Sequence, residues 1–271
     1  MKLFPNCNFG EKLRGAGRLV VTGKFSKGVY LSGEAGLYLL HDKEFGKIDF
    51  GAGVENAAEL FALPASEEGS AWELGEGKLV SRGVTLVGAF SEEGLPYNAS
   101  LNLPALERAL AREGKGAICD WYFRRGACDP LAERLGQFLP ELLDAMRRED
   151  GTAIFESVRR LVGLGRGLTP DADDFLVGLL YGFQERSVPK CFSALVEAVN
   201  GAAGNTSPVS REFLRCAAAG KEFTLVTDVL RLPESEEAAN RLLSAGHSSG
   251  SGIAVGILAA LQIIGEKYGK V

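Results

Sequence analysis

The chain has 271 residues, 46% hydrophobic and 24% charged, an ordinary globular balance sufficient for one large domain or two small ones. Its net charge of −5 offers no electrostatic footprint for nucleic acid. Five scattered cysteines (Cys7, Cys119, Cys128, Cys191 and Cys216), no CxxC and only two histidines, His41 and His247, argue against a zinc cage and for reduced thiols.

The N-terminus, MKLFPNCNFGEKLRG, lacks the apolar core of a signal peptide. The longest apolar run, 252–264, is too short to span a bilayer, so a cytoplasmic protein without a membrane partner is expected. Residues 1–100 read as β-rich: short runs at 18–25, 28–32 and 36–41 carry Val, Leu, Tyr and Phe and are split by glycine turns. A later hairpin is expected at 78–81 and 84–90 around Arg82-Gly83. Residues 47–56 read as a glycine turn after a short strand, and 57–63 as a turn or two of helix. Such short strands favour a small barrel or sandwich.

From 104 onward the pattern turns helical. Residues 104–112 read as a helix and 114–126 as a connector with a possible strand. Asp129 is placed to cap a helix starting at Pro130, whose apolar stripe runs from Leu131 to Met146 with Pro140 as a kink or break. A helix over 152–162 feeds a glycine-rich stretch, GLGRGLTPDADDFLVGLLYG, at 163–182. Here Gly163, Gly165 and Gly167 open backbone angles closed to other residues. Thr169 suits an N-cap, Pro170 the first helical position, and Asp171, Asp173 and Asp174 the positive end of the helix dipole. At about 100° per residue, Asp171, Asp174, Gly178 and Gly182 share one side of that helix, while Asp173 points away.

Further helices are expected at 189–203, from Ser210 to Gly220, at 223–230 and at 234–245. Thr206 and Ser207 read as turn and helix caps. A second glycine-rich start, Gly246-His247-Ser248-Ser249-Gly250-Ser251-Gly252, precedes a helix over 253–268 in which Gly252, Gly256 and Ala260 form a ridge of small residues. The expected fold is α+β: a β-rich region, 1–103, followed by a helical region, 104–271, that carries the site motifs.

The stretch GLGRGLTPDADDFLVG resembles the hallmark of the AllH-type family, G-x-G-x-G-L-T-P-x-x-D-D-x-L-x-G. The Gly-His-Ser-Ser-Gly turn at 246–250 is a second anchor of that resemblance. The family's usual Gly-Pro-Gly is Gly165-Arg166-Gly167 here, and its common Ser-Gly or Ser-His before the paired aspartates is Asp171-Ala172. The resemblance implies a subunit of an oxamate carbamoyltransferase, the enzyme of anaerobic allantoin breakdown, working with partner subunits. It covers the C-terminal half clearly.

If the two ridged helices run side by side in the same direction, their starts converge on one place with free backbone N–H groups. Gly165, Arg166, Gly167, Thr169, Ser248, Ser249 and Gly250 would then bind a small anionic or amide metabolite. Asp174, Asp173 and His247 are the candidate catalytic groups, His247 as an acid or base. The aspartates would repel a bare anion, which leaves two solutions: a Mg²⁺ held by Asp173 and Asp174, or a substrate with amide N–H groups, such as oxamate, oxalurate or carbamoyl phosphate. Two alternatives stand beside carbamoyl transfer: a non-catalytic scaffold or binding subunit, and a Mg-nucleotide-dependent ligase or kinase-like enzyme. GLGRGLT lacks the Lys-Ser/Thr ending of a P-loop.

Overall fold

A computed structural model describes residues 1–25, 27–90, 102–125, 130–184 and 190–268. Asp129, Cys128 and Pro189 lie outside the described residues. The chain divides into two compact units, one of Met1–Leu95 with Lys221–Thr224, the other of Pro96–Gly220 with Leu225–Val271.

The first unit is a closed eight-stranded barrel. Its strands are β1 (Lys2–Phe9), β2 (Arg18–Phe25), β3 (Gly28–Gly33), β4 (Gly36–Asp42), β5 (Gly51–Val54), β6 (Ala71–Gly75), β7 (Lys78–Ser81) and β8 (Val84–Phe90), in the order β1-β5-β4-β3-β2-β6-β7-β8. Closure joins the first strand to the last in parallel, from Lys2↔Val84 to Phe9↔Phe90, with a register shift between Phe4 and Cys7. Pro5, which has no N–H to give a ladder, and Asn6, at φ 58°, fall in that shift. Beyond it a Cβ on Gly88 would lie 2.2 Å from the Cys7 carbonyl oxygen, so only glycine lets β8 come this close. Phe9, Leu19, Leu31, Leu40, Trp72 and Leu86 belong to a fully buried core, and the Trp72 indole N–H donates to the Ala65 carbonyl at 2.9 Å.

The strands expected at 18–25, 28–32, 36–41, 78–81 and 84–90 are present, and the hairpin turn has positive φ at both Arg82 and Gly83. Three strands correct the reading. β1 hides behind Pro5, and β6 is short. The glycine turn read at 51–54 is instead β5, buried throughout and paired with both β1 and β4. Its glycines make room for His41: a Cβ on Gly51 would stand 2.8 Å from the imidazole Nε2. His41 is buried, its Nδ1–H donates to the Asp42 carbonyl at 2.8 Å, and Nε2 has no partner among the described residues. Residues 57–61 form a short helix, α1 (Ala57–Phe61). The segment Lys221–Thr224 completes this unit, bridging Phe223 to Ile48, with the Thr224 N–H donating to the Lys47 carbonyl at 3.0 Å.

The second unit is helical: α2 (Pro104–Glu113), α3 (Ala117–Tyr122), α4 (Pro130–Arg148), α5 (Gly151–Leu161), α6 (Asp171–Phe183), α7 (Lys190–Ala202), α8 (Pro208–Ala218), α9 (Thr224–Arg231), α10 (Glu236–Leu243) and α11 (Ser249–Tyr268). The connector at 114–126 holds α3 where a strand was conceivable. Pro140 does not split α4. Burial of Leu135, Leu139, Leu142 and Met146 outweighs the roughly 3 kcal/mol that an internal proline costs.

Around this frame α6 is buried on every side from Ala172 to Phe183, the mark of a central helix. α11 lies parallel to it, since Gly252, Ile253, Ile257 and Ala260 meet Asp174, Gly178 and Gly182 in ascending order. A Cβ on Gly178 would fall 1.9 Å from the Ile253 carbonyl oxygen, and one on Gly256 2.1 Å from that of Phe175. The two small-residue ridges are thus the seam. α11 is longer than the apolar run had suggested: over Ser249–Lys267 it is long and apolar enough to cross a membrane by length and composition, but 78% of that stretch is buried inside the protein.

Candidate functional site

The seam brings the two glycine-rich segments together at its N-terminal end. α5 stops at Leu161, and the chain turns through Gly163 (φ +82°), Gly165 (φ +147°) and Gly167 (φ +80°) before α6. Gly165 is indispensable in shape as well as angle, because a Cβ there would stand 2.1 Å from the Asp171 nitrogen. Helix capping is shifted by one residue from the expected place. Pro170, not Thr169, is the N-cap, with no side-chain cap. The Thr169 hydroxyl is released from that task and hydrogen-bonds the Ser249 hydroxyl at 2.8 Å, eighty residues away in the chain.

Asp174 lies beneath this hydroxyl pair, only 6% exposed. Burial pushes its carboxyl well above the usual carboxylate range. Hydrogen bonds from Ser249 and Thr169 act in the opposite sense, while Asp171 and Asp173 add to the rise. A carboxyl buried in this way keeps its proton to higher pH than an exposed one, and while protonated it can donate as well as accept.

Asp173 points away, as the helical wheel requires, and it is fully buried. Its Oδ1 accepts the Gly163 N–H at 2.8 Å, and its Oδ2 accepts the Thr206 and Ser210 hydroxyls at 2.5 and 2.7 Å. Burial raises its pKa and these three donors lower it. Both oxygens are thus engaged by donors from within the fold. Among the described residues no group of three or more His, Cys, Asp or Glu side chains is placed to hold a metal. Through these contacts Asp173 ties the glycine-rich loop to the turn before α8 and to α8 itself.

The other candidates separate. His247 is exposed in the turn before α11, and the partners of Asp173 and Asp174 do not include it. Arg166 is exposed on the loop, and its N–H donates to the Asp171 carboxylate at 3.1 Å. Ser248 faces Gly116, where an added Cβ would meet its own at 2.6 Å. Gly250 is a packing residue: a Cβ there would lie 1.9 Å from the Leu242 carbonyl, and its N–H donates to Ala245. The free amides expected at the helix starts are also largely engaged. Ala172 donates to the Leu164 carbonyl, Asp173 and Asp174 to that of Pro170, and Gly252 to that of Ser248. Hydroxyls and a buried acid, rather than bare amides, are the polar groups of this junction.

Sequence reasoning missed three contributors. Ser210, read only as a helix start, binds Asp173. Asp171, read as dipole complement, folds back onto the loop. Ser251 accepts the Lys115 N–H at 3.1 Å just before α3. The one local signal was the Ser207-x-x-Ser210 spacing, which capping explains: Ser207 is indeed the N-cap of α8.

The class so defined is an α+β protein of two units, one a closed barrel, the other a helical unit in which two glycine-rich segments meet over a buried carboxyl. Residues 161–261 match the family model described as oxamate carbamoyltransferase subunit AllH, a span that contains both glycine-rich segments and the turn between them. Over that span the chain is similar to that family. No curated protein and no solved structure matches the chain.

Proposed function

We propose that this chain is a subunit of a carbamoyl-transferring enzyme and that the junction of the two glycine-rich segments receives a small acid amide, oxamate or oxalurate being the nearest chemistry. The observation that carries this reading is the Thr169–Ser249 contact at 2.8 Å, which joins the two matched motifs over Asp174. An acid amide offers both donors and acceptors. Thr169 and Ser249 can give or take a hydrogen bond, and Asp174 can donate when protonated or accept an amide N–H when ionised. Transfer of the carbamoyl group between the oxalurate nitrogen and phosphate then needs a proton given to or taken from that nitrogen, a task within the reach of a buried acid. Partner subunits complete the reading, in keeping with the matched family's description as a subunit.

The test is a thermal-shift series with oxamate, oxalurate, carbamoyl phosphate, phosphate and Mg-ATP, repeated with Asp174→Asn. A saturable rise with an acid amide, lost in the variant, supports the reading. A response to Mg-ATP alone would replace it with a nucleotide-dependent enzyme. A second reading is favoured by the glycine seam itself: backbone approaches of 1.9 and 2.1 Å for added Cβ atoms explain Gly178 and Gly256 by packing alone. On that reading the chain is a scaffold subunit, and Asp174→Asn changes melting temperature but not the turnover of the assembled enzyme.

A further inference from the structure

Three contacts bind the glycine-rich loop to one remote turn. A Cβ on Gly163 would stand 2.6 Å from the Asn205 carbonyl, so glycine permits the approach. Asp173 takes the Gly163 N–H on one oxygen and the Thr206 and Ser210 hydroxyls on the other. The Ser207 hydroxyl donates to the Leu168 carbonyl at the far end of the loop. The turn is itself held by one side chain: the half-buried Arg211 guanidinium donates to the carbonyls of Ala203 at 3.0 Å, Gly204 at 3.3 Å and Thr206 at 3.5 Å. These carbonyls follow the end of α7, where backbone acceptors have no helical partner.

We infer that Arg211 and Asp173 are positioning residues: Arg211 shapes the turn 203–207, and Asp173 passes that shape to the loop that carries Thr169. Three glycines at positive φ give the loop a backbone that its own side chains do not fix, so its geometry has to be imposed from outside. A planar guanidinium can serve three carbonyls in one plane, which a lysine ammonium cannot. Asp173 acts here through hydrogen bonds, not through charge. An asparagine can keep the Gly163 contact with its oxygen and donate its two N–H bonds to the hydroxyls of Thr206 and Ser210.

The consequence for ligand binding rests on the proposed function, but the geometry is testable without it. Amide exchange over 163–169 and the rate of tryptic cleavage after the exposed Arg166 report loop opening. Arg211→Ala, Arg211→Lys and Asp173→Ala are each expected to speed both by about tenfold, while Asp173→Asn stays near wild type. If Asp173→Ala fails to fold, Thr206→Val removes one donor at constant shape and serves instead. Wild-type exchange and cleavage in Arg211→Ala and Thr206→Val would overturn the inference, as would an Asp173→Asn loop as open as the alanine variant. Failure of the ligand reading looks different: no acid amide shifts the melting temperature of the wild-type protein, yet the loop still opens as described.

Discussion

Substituting Gly178 by alanine tests the seam on which the site is built. The new Cβ would sit 1.9 Å from the Ile253 carbonyl oxygen, 2.7 Å from its carbon and 2.9 Å from its Cα. All three are backbone atoms of a helix buried along this stretch, so no flexible side chain can swing aside. Ordinary contact begins near 3.4 Å, which demands that the helices part by about 1.5 Å. Overpacking costs about 1–3 kcal/mol, and a helix-wide shift belongs at the upper end of that range. The intrinsic gain of alanine over glycine within a helix offsets roughly 1 kcal/mol. The net expectation is a loss of about 1–2 kcal/mol, or about 2–8 °C in melting temperature at ~2–4 °C per kcal/mol. Trp121 packs edge-on to Phe175 of α6 at 6.3 Å and is a fluorescence reporter for urea unfolding of the helical unit. Parting the helices also strains the Thr169–Ser249 contact, so the response to oxamate should weaken. Gly167→Ala is the control, because an added Cβ there meets nothing within 4 Å and carries only the strain of φ +80°. A Gly178→Ala protein as stable as wild type would refute the close-packed seam.

Three other outcomes follow from buried groups. Asp174 has a folded pKa raised above its ordinary value, so its contribution to stability is present at low pH and lost as pH rises through the folded value. Asp174→Asn, which does not titrate, should therefore gain on wild type as pH rises above about 4, the ordinary aspartate range; a melting-temperature difference that is constant with pH would contradict this. His41 is depressed from 6.5 to about 4 by burial, so its contribution is present above pH 6.5 and lost as pH falls towards 4. Its imidazole should titrate near 4 by NMR, and a titration near 6.5 would place it in solvent. Trp72→Phe removes the donor to the Ala65 carbonyl and should destabilise the barrel by about 1–3 kcal/mol, read by thermal unfolding of the barrel unit.

The α+β plan and the place of the motifs could be read from the amino-acid order alone. Alternating Leu19 and Val21, the Arg82-Gly83 turn and the stripe from Leu135 to Met146 are local periodicities, legible because strand and helix impose them on neighbouring residues. The glycine ridges were legible for the same reason, as small residues four apart on one helix face. Other features depended on residues far apart in the chain. Barrel closure pairs Lys2–Phe9 with Val84–Phe90, and no local pattern marks a strand that contains Pro5. Gly51 and Gly53 resemble a turn until the imidazole of His41 occupies the space above them. Thr169 looks like a cap until Ser249 arrives, and nothing near Asp173 in the sequence announces its partners Thr206 and Ser210. Backbone conformation is chosen largely by near neighbours. The hydrogen-bond partner of a buried polar group is chosen by whichever segments tertiary packing brings within three ångströms or so.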